Sequence, residues 1–435
     1  MKRLVLAIIT LASALPPSCF ARERWTLEEC IEYSLQHNLS LMSKQVEVSL
    51  RQTELTARRF ALLPSVAFCA GRDWNWGRSV DMQELMIVKD RLSKATSVSV
   101  SGSAAVFHGF SGQYAKLASK EALEAARLAA ESVEEQIKVS VTQAYLQLML
   151  SRQLLEFSEK NMESITLQRS RTSLLVESGR APMSALSEIE AQVATERASV
   201  VEAECNVRNA EMELRRLMNL PDGEPMAVEV PEAAGGLIPP ASVPSPDDIA
   251  LAADRAAAVR SAVKSINAAR HRLASAKGLL APAVTVSAGY GSYFTSTVSS
   301  KPGRQLEENR NPSLSLGITL PLFTGLETFT TIRTRRLEVK SAVLEAEQEQ
   351  KNAFDRISAA VLEAGNCYQK YLAASESLKS MEALLRVNQA KFDAGAATAL
   401  DYVIARSNHS KAVSECLQAR WHYIYQMKII EIYTQ

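Results

Sequence analysis

From Leu326 to Phe392 the chain has no proline and one interior glycine, Gly365. Apolar residues recur there three and four apart: Phe354, Ile357, Val361, Ala364, Tyr368 and Tyr371, then Leu378, Met381, Leu385 and Phe392. That spacing keeps one stripe on one side of a slightly underwound helix, as in a coiled-coil seam. At the usual rise per residue such a helix runs on the order of 100 Å. It cannot hide its stripe inside a compact globule. It must lie against other long helices, from its own chain or from copies of it.

Composition fits this picture. Among 435 residues, 22% are charged and 6% aromatic, with 17 glycines and 15 prolines. That balance suits long helices better than a sheet-rich enzyme. The net charge of +1 implies no charged partner. No basic block or basic-aromatic run points to nucleic acid.

Residues 1–21 read as a secretory signal peptide. Lys2 and Arg3 give the positive end, Leu4 to Leu15 the apolar core, and Cys19-Phe20-Ala21 the small residues before a cut. The apolar run is short for a bilayer span. Proline at position 16 disfavours lipidation of Cys19. Beyond Ala21 no stretch of about 18 apolar residues exists, so a membrane-inserted part must be made of strands. Cys30, Cys69, Cys205, Cys367 and Cys416 show no CxxC pair, and neither a disulfide framework nor a zinc site is indicated.

In chain order, Thr26-Leu27-Glu28-Glu29 opens a capped helix over 27–63, which stops at Pro64. The period then changes to two. Val66, Phe68, Ala70, Trp74 and Trp76 share one face, and Ala67, Cys69, Gly71, Asp73 and Asn75 the other. A strand over 64–77, a polar loop over 78–94 and a strand over 95–108 follow. Helices are expected over 113–177 and 184–219. Between them Gly179-Arg180-Ala181-Pro182 ends one helix and opens the next. Residues 221–246, rich in proline, glycine and alanine, read as a linker.

The order then repeats: a helix over 248–280, strands over 282–294 and 312–324 around a polar loop, and helices over 326–392 and 399–433. Phe107-His108-Gly109 lies 216 positions before Phe323-Thr324-Gly325, and Gly179 lies 216 before Gly395. Leu63-Pro64 lies 218 before Ala281-Pro282. The chain is a duplicated helix, β-hairpin, long helix, helix unit, with repeats at 22–220 and 247–435. In each repeat two shorter helices together match one long one in length.

The strands carry the membrane reading. Leu314, Leu316, Ile318, Leu320 and Leu322 share one face; Ser313, Ser315, Gly317 and Thr319 share the other. About ten residues of strand cross a bilayer. Open sheet edges are not tolerated in lipid, and four strands cannot close alone, so several chains would have to complete a barrel. The plainer reading is a half-buried sheet packed on helices. The signal peptide, the lack of apolar helices and Trp74 with Trp76 at one strand end, as interface aromatics, favour the membrane.

Two stretches resemble the TolC family of outer-membrane efflux channels. One is Leu320-Pro321-Leu322-Phe323-Thr324-Gly325, the barrel-to-helix junction, echoed by Ala105-Val106-Phe107-His108-Gly109. The other is Phe392-Asp393-Ala394-Gly395-Ala396-Ala397-Thr398-Ala399-Leu400-Asp401, the turn at the far tip, with its counterpart around Gly179, Arg180 and Pro182. The resemblance implies a mainly α homotrimer: a twelve-stranded membrane β-barrel, four strands per chain, continued by a coiled-coil tube. It implies a passive conduit of a tripartite efflux or type I secretion system. Its turns, with Gly179, Arg180, Pro182, Gly395 and Thr398, would meet a periplasmic adaptor protein and an inner-membrane pump.

The family closes its tip with a tyrosine, an arginine and acids. Here Asp401 holds one acid position. Ile404 stands at the second, Ala397 at the arginine position, Phe392 at the tyrosine position, and Ala185 at the acid position of the first repeat. Asp401 and Phe392 are the candidate tip gate. Thr398 and Asp401 are equally placed as a helix cap. The five histidines form no ligand spacing, and no P-loop, GxSxG or HExxH occurs. No cofactor, metal or catalytic set is expected. Rivals are a periplasmic adaptor (membrane fusion) protein, which would carry one coiled-coil hairpin between soluble β domains, and a structural periplasmic coiled coil.

Overall fold

The computed structural model describes residues 25–61, 63–80, 87–221, 228, 245–298 and 300–434, with the side chains of 78–91 left aside. The signal peptide and nearly all of the 221–246 linker lie outside these residues.

Nine helices and four strands are described. In order they are α1 (Leu27–His37), α2 (Leu39–Phe60), β1 (Ser65–Val80), β2 (Ile87–His108), α3 (Ser111–Glu177) and α4 (Met183–Met218). Then come α5 (Pro246–Arg255), α6 (Ala257–Gly278), β3 (Ala283–Thr295), α7 (Pro302–Glu308), β4 (Asn311–Thr319), α8 (Glu327–Asp393) and α9 (Ala399–Thr434). Three pairs of corresponding helices have equal length. α3 and α8 each have 67 residues, α4 and α9 each have 36, and α2 and α6 each have 22.

Two expected helices are broken. Residues 27–63 are not one helix, because Asn38 is extended (φ −73, ψ 121) and closes α1. Its side chain then accepts from the amides of Ser40 and Leu41 at 2.9 and 3.3 Å, capping α2. Residues 248–280 break at Ala256 (φ −53, ψ 135), which has no capping side chain. Asn38 and Ala256 are 218 positions apart, the offset that also relates Pro64 to Pro282. The break belongs to the repeat, although only one copy carries a residue that signals it.

The strands form one antiparallel sheet in the order β1-β2-β3-β4. Most of the loop expected over 78–94 is strand. β1 and β2 stay paired to Val80 and Ile87 across an irregularity at Gly77 and Ser79, because backbone pairing needs no apolar alternation. The loop expected near 295–311 contains α7. There Gln305, buried, accepts from the Thr295 amide at 2.8 Å and donates to the carbonyls of Val298 and Ser300. β4 ends at Thr319 and not at 324, since its partner β3 begins at Ala283, opposite Thr319. Pro321 also has no N–H to extend the ladder.

Backbone contacts divide the chain into two units. One takes the described residues of Met1–Met42, Val133–Ala252 and Asp355–Gln435; the other takes Ser43–Ser132 and Ala253–Phe354 and holds the sheet. The first unit is built on α3. Val141, Tyr145, Leu148 and Met149 are buried there with Cys30 of α1. The Tyr145 hydroxyl donates to the Trp25 carbonyl at 3.4 Å, and the Trp421 indole of α9 donates to Gln153 at 2.9 Å. In the second unit α3 and α6 approach through alanines, with Ala118, Ala125, Ala268 and Ala276 buried. Ser261 donates to the Ala125 carbonyl at 2.8 Å, and Lys264 pairs with Glu121 at 3.2 Å.

Candidate functional site

Register gives the sheet two distinct faces. Opposite β1 residues Val66 and Phe68 stand Gly102 and Val100 of β2. Val100 faces Tyr290 of β3, and Val284, Val286 and Ala288 face Ile318, Leu316 and Leu314 of β4. All lie on one face, since side chains alternate along a strand. Its large residues are open to solvent: Phe68 at 68%, Leu314 at 80% and Ile318 at 70% exposure. The opposite face is mostly small and polar, with Cys69, Ser99, Gly291 and Asn311 in one row and Ser103, Ser287 and Ser315 in another. Both outer strands, β1 and β4, have one edge without a partner in this sheet. An apolar face this exposed marks an interaction surface.

Trp74 and Trp76 continue the apolar face beyond Phe68. They lie opposite Lys94 and Leu92, on the part of the β1–β2 hairpin that extends past the last β2–β3 pair, Ala95 with Thr295. No described helix is long and apolar enough to cross a membrane.

Strands hand over to long helices through two turns of the same form. Gly109 and Phe110 have φ of 55 and 59, and Gly325 and Leu326 have 60 and 68. The sequence pointed to the glycines, while the left-handed Phe110 and Leu326 carry no such signal. The two junctions differ in packing. At the first, an added Cβ on Gly109 would collide with the Gly278 carbonyl and come within 2.7 Å of the Ala281 Cβ. The ring of Phe107 meets Phe110 edge-on at 5.2 Å, and Ser275 donates to the Ser111 carbonyl at 2.9 Å. At the second, nothing lies within 4 Å of a Cβ added to Gly325, and Leu322 and Phe323 are 89% and 83% exposed. Pro321 sits just past the end of β4.

The far turns are closed alike. Gly179 and Gly395 have φ of 70 and 72. The amides of Gly179 and Arg180 donate to the carbonyls of Val176 and Leu175, and those of Gly395 and Ala396 to Phe392 and Lys391. Each is a Schellman closure with glycine in the left-handed position. The restarts differ. Pro182 precedes α4 without a side-chain cap. Thr398 and Asp401 form a reciprocal cap on α9: the Asp401 carboxylate accepts from the Thr398 hydroxyl at 2.7 Å and its amide at 3.1 Å. Those two bonds hold the Asp401 carboxyl below the ordinary aspartate value. Phe392 stacks on Tyr402 at 5.5 Å, within a cluster around Ile165 and Ile189.

One residue of this region gave no sign in the sequence. Arg406 of α9 is buried at 4% exposure. Its guanidinium donates to Ser164 Oγ and Tyr402 Oη, both at 3.1 Å, and to the Asn161 carbonyl. No carboxylate pairs with it among the described residues. Asn161 Nδ2 adds a bond to Ser410 Oγ at 3.1 Å, so α3 and α9 are clasped twice. Next to this clasp His409 is held below the usual histidine value, chiefly by burial, with the Arg406 charge adding to the effect and Glu382 opposing it.

The model of a family described as outer membrane efflux protein matches residues 30–220 and 249–426, both halves of the duplication. No curated protein matches. Among solved structures, the CusC channel aligns with a TM-score of 0.82 at 15% identity, over 94% of this chain and 91% of its own. The CmeC outer membrane channel of Campylobacter jejuni gives 0.81 at 15%, over 94% and 85%. The outer membrane protein VceC of Vibrio cholerae gives 0.78 at 17%, over 94% and 96%. These likenesses show the fold, and the family match favours a channel over the adaptor weighed above. With an exposed apolar sheet face, long paired helices and a family match through both repeats, the chain belongs to the outer membrane efflux protein family and is a channel component of outer-membrane efflux, with its helical part in the periplasm.

Proposed function

We propose that three copies of this chain close one twelve-stranded barrel and form a passive conduit of a tripartite efflux or type I secretion system. The observation that carries this is the sheet itself: one face apolar and bare, the other small and polar, and an open edge on each side. Unpaired edges in lipid cost several kcal/mol per group, so closure with sister chains is the physical remedy.

The repeat supports where the sisters meet. Within one chain, the first junction packs on the end of α6 at Gly278 and Ala281. With the offset of 218 positions, the matching residues at the end of α2 are Phe60 and Leu63. Both are exposed, at 63% and 58%, as are Leu322, Phe323 and Leu326 at the second junction. Seating the second junction of one copy on the α2 end of the next repeats the internal contact between chains, and it pairs β4 with the neighbour's β1. A Leu63→Cys, Phe323→Cys chain in a cysteine-free background should crosslink to dimers and closed trimers in outer-membrane fractions. Single variants should not crosslink. A double variant that stays monomeric under oxidation refutes the ring.

The turns at Gly179, Arg180, Pro182 and at Gly395, Thr398 are assigned to docking of a periplasmic adaptor, with an inner-membrane pump as the energy source. Asp401 keeps its capping role and, from three copies, supplies an acidic ring, with Phe392 packed behind it. Replacing both turns by unrelated glycine-capped loops should abolish export while heat-modifiable trimers remain. Full export by that variant would exclude docking there. The small polar sheet face suits a wide aqueous path, with cargo set by the pump.

A further inference from the structure

We infer that the outer face of the β1–β2 hairpin holds the phosphorylated headgroup of an outer-leaflet glycolipid, with Arg72, Lys94 and Trp74 as the binding group. The inference rests on the barrel reading above for the orientation of the sheet.

Position comes first. Strands enter and leave the helices at Ser65 and His108, so the other end of the sheet faces away from the periplasm. On β2 the lipid-facing side runs from Phe107 through Val100 and Val98 to Thr96. At the usual strand rise and tilt that is about 25 Å along the membrane normal, the height of an apolar band. Arg72 stands opposite Thr96 at the end of this band, and the next pair on the face is Trp74 with Lys94, where headgroups begin.

Chemistry comes second. The Arg72 guanidinium lies 5.5 Å from the centre of the Trp74 ring, a cation–π distance that fixes the charge in place. Lys94 stands directly opposite Trp74 on the neighbouring strand. Its backbone is pinned on both sides, with its amide donating to Ser296 Oγ and its carbonyl accepting from the Ser296 amide, both at 2.8 Å. Neither cation has a carboxylate partner among the described residues. Asp73, between them in sequence, points to the other face. The acids of the adjoining loop are engaged, Glu308 by Arg304 and Glu307 by Arg310. Two cations with no carboxylate partner among the described residues, one over the indole and one on the strand position opposite it, complement an anionic headgroup at the edge of a lipid-facing band. A neutral or zwitterionic lipid would leave both unneutralised.

The test uses the full-length channel in phosphatidylcholine nanodiscs doped with bisphosphorylated lipid A or with its dephosphorylated form, and counts lipid retained after mild detergent extraction. Wild type should retain the bisphosphorylated form selectively. One cation near an anionic surface is worth roughly fivefold in affinity, so Arg72→Gln with Lys94→Gln should lower retention by about twentyfold. Millimolar inorganic phosphate should not displace the lipid. Equal retention of the two forms by wild type, or unchanged retention by the double variant, overturns the site. Displacement by inorganic phosphate also overturns it, since the occupant would then be a soluble anion. Heat-resistant trimers in undoped nanodiscs should form with either protein. If wild type fails to insert there, the barrel reading fails and this site falls with it.

Discussion

Gly109→Ala should prevent the chain from reaching its native state in useful yield. Two costs coincide at this position. The left-handed backbone at φ 55 penalises any side chain by about 1–2 kcal/mol. The new methyl would also strike the backbone carbonyl of Gly278 and the Ala281 side chain, and neither can swing aside as a flexible side chain could. Overpacking adds about 1–3 kcal/mol, so the total approaches a large part of a typical domain's stability. Gly278→Ala should behave alike, because its Cβ would meet the Gly109 carbonyl. Gly325→Ala is the control. It has the same left-handed backbone but open space around it, so the chain itself should lose only about 1–2 kcal/mol. Urea unfolding of the detergent-solubilised chain, read separately from trimer yield, measures the difference. Equal losses for Gly109→Ala and Gly325→Ala would show that the contact with α6 contributes nothing.

Arg406→Met should loosen the far end of α9 from α3 without unfolding the sheet. The guanidinium makes three charge-assisted bonds, and its removal leaves the buried Tyr402 hydroxyl without that donor and takes the second bond from the helical Asn161 carbonyl. A loss of about 2–4 kcal/mol in local stability is expected. Amide exchange around Asn161–Thr166 and Tyr402–Ser410 should accelerate at least tenfold. Amides of β2 and β3 should keep their protection. Arg406→Lys should not rescue, because one ammonium cannot span three acceptors set around a planar fork. Unchanged exchange in the methionine variant would mean that the hydrophobic cluster of Ile165, Ile189 and Tyr402 suffices by itself. Since opening a coiled tip requires helices to part, the variant should also raise the resting conductance of reconstituted channels.

How much of this was legible beforehand depends on which residue types carry a local signal. The glycine closures at 179 and 395 were readable, because only glycine adopts positive φ cheaply and each follows a long apolar period. The cap at Thr398 and Asp401 was readable for the same kind of reason. The helix break at Ala256 was not: alanine is the best helix former and offers no capping side chain, so only the repeat offset from Asn38 marks the place. In the seam of α8, Ile357, Val361 and Ala364 are buried as their spacing indicates, yet Phe354 is 36% exposed while Ala353, Ala360 and Cys367, which the stripe passed over, are buried. Close helix approach selects small residues, which a search for bulky stripes overlooks. Arg406 was missed because a buried arginine is rare and is recognised only when its acceptors arrive from a helix some 240 positions away. The extended β1–β2 hairpin was taken for a loop because its pairing is a backbone property.

The equality of the two repeats has a consequence for how such a channel can change size. α3 and α8 match at 67 residues, and α4 and α9 at 36. Adding a heptad to α8 alone would push its turn about 10 Å past the other, tearing Phe392 and Tyr402 from Ile165 and Ile189. Growth or shortening must therefore arrive in all four helices together and in whole heptads, which makes periplasmic reach a quantity that evolution can alter only in steps.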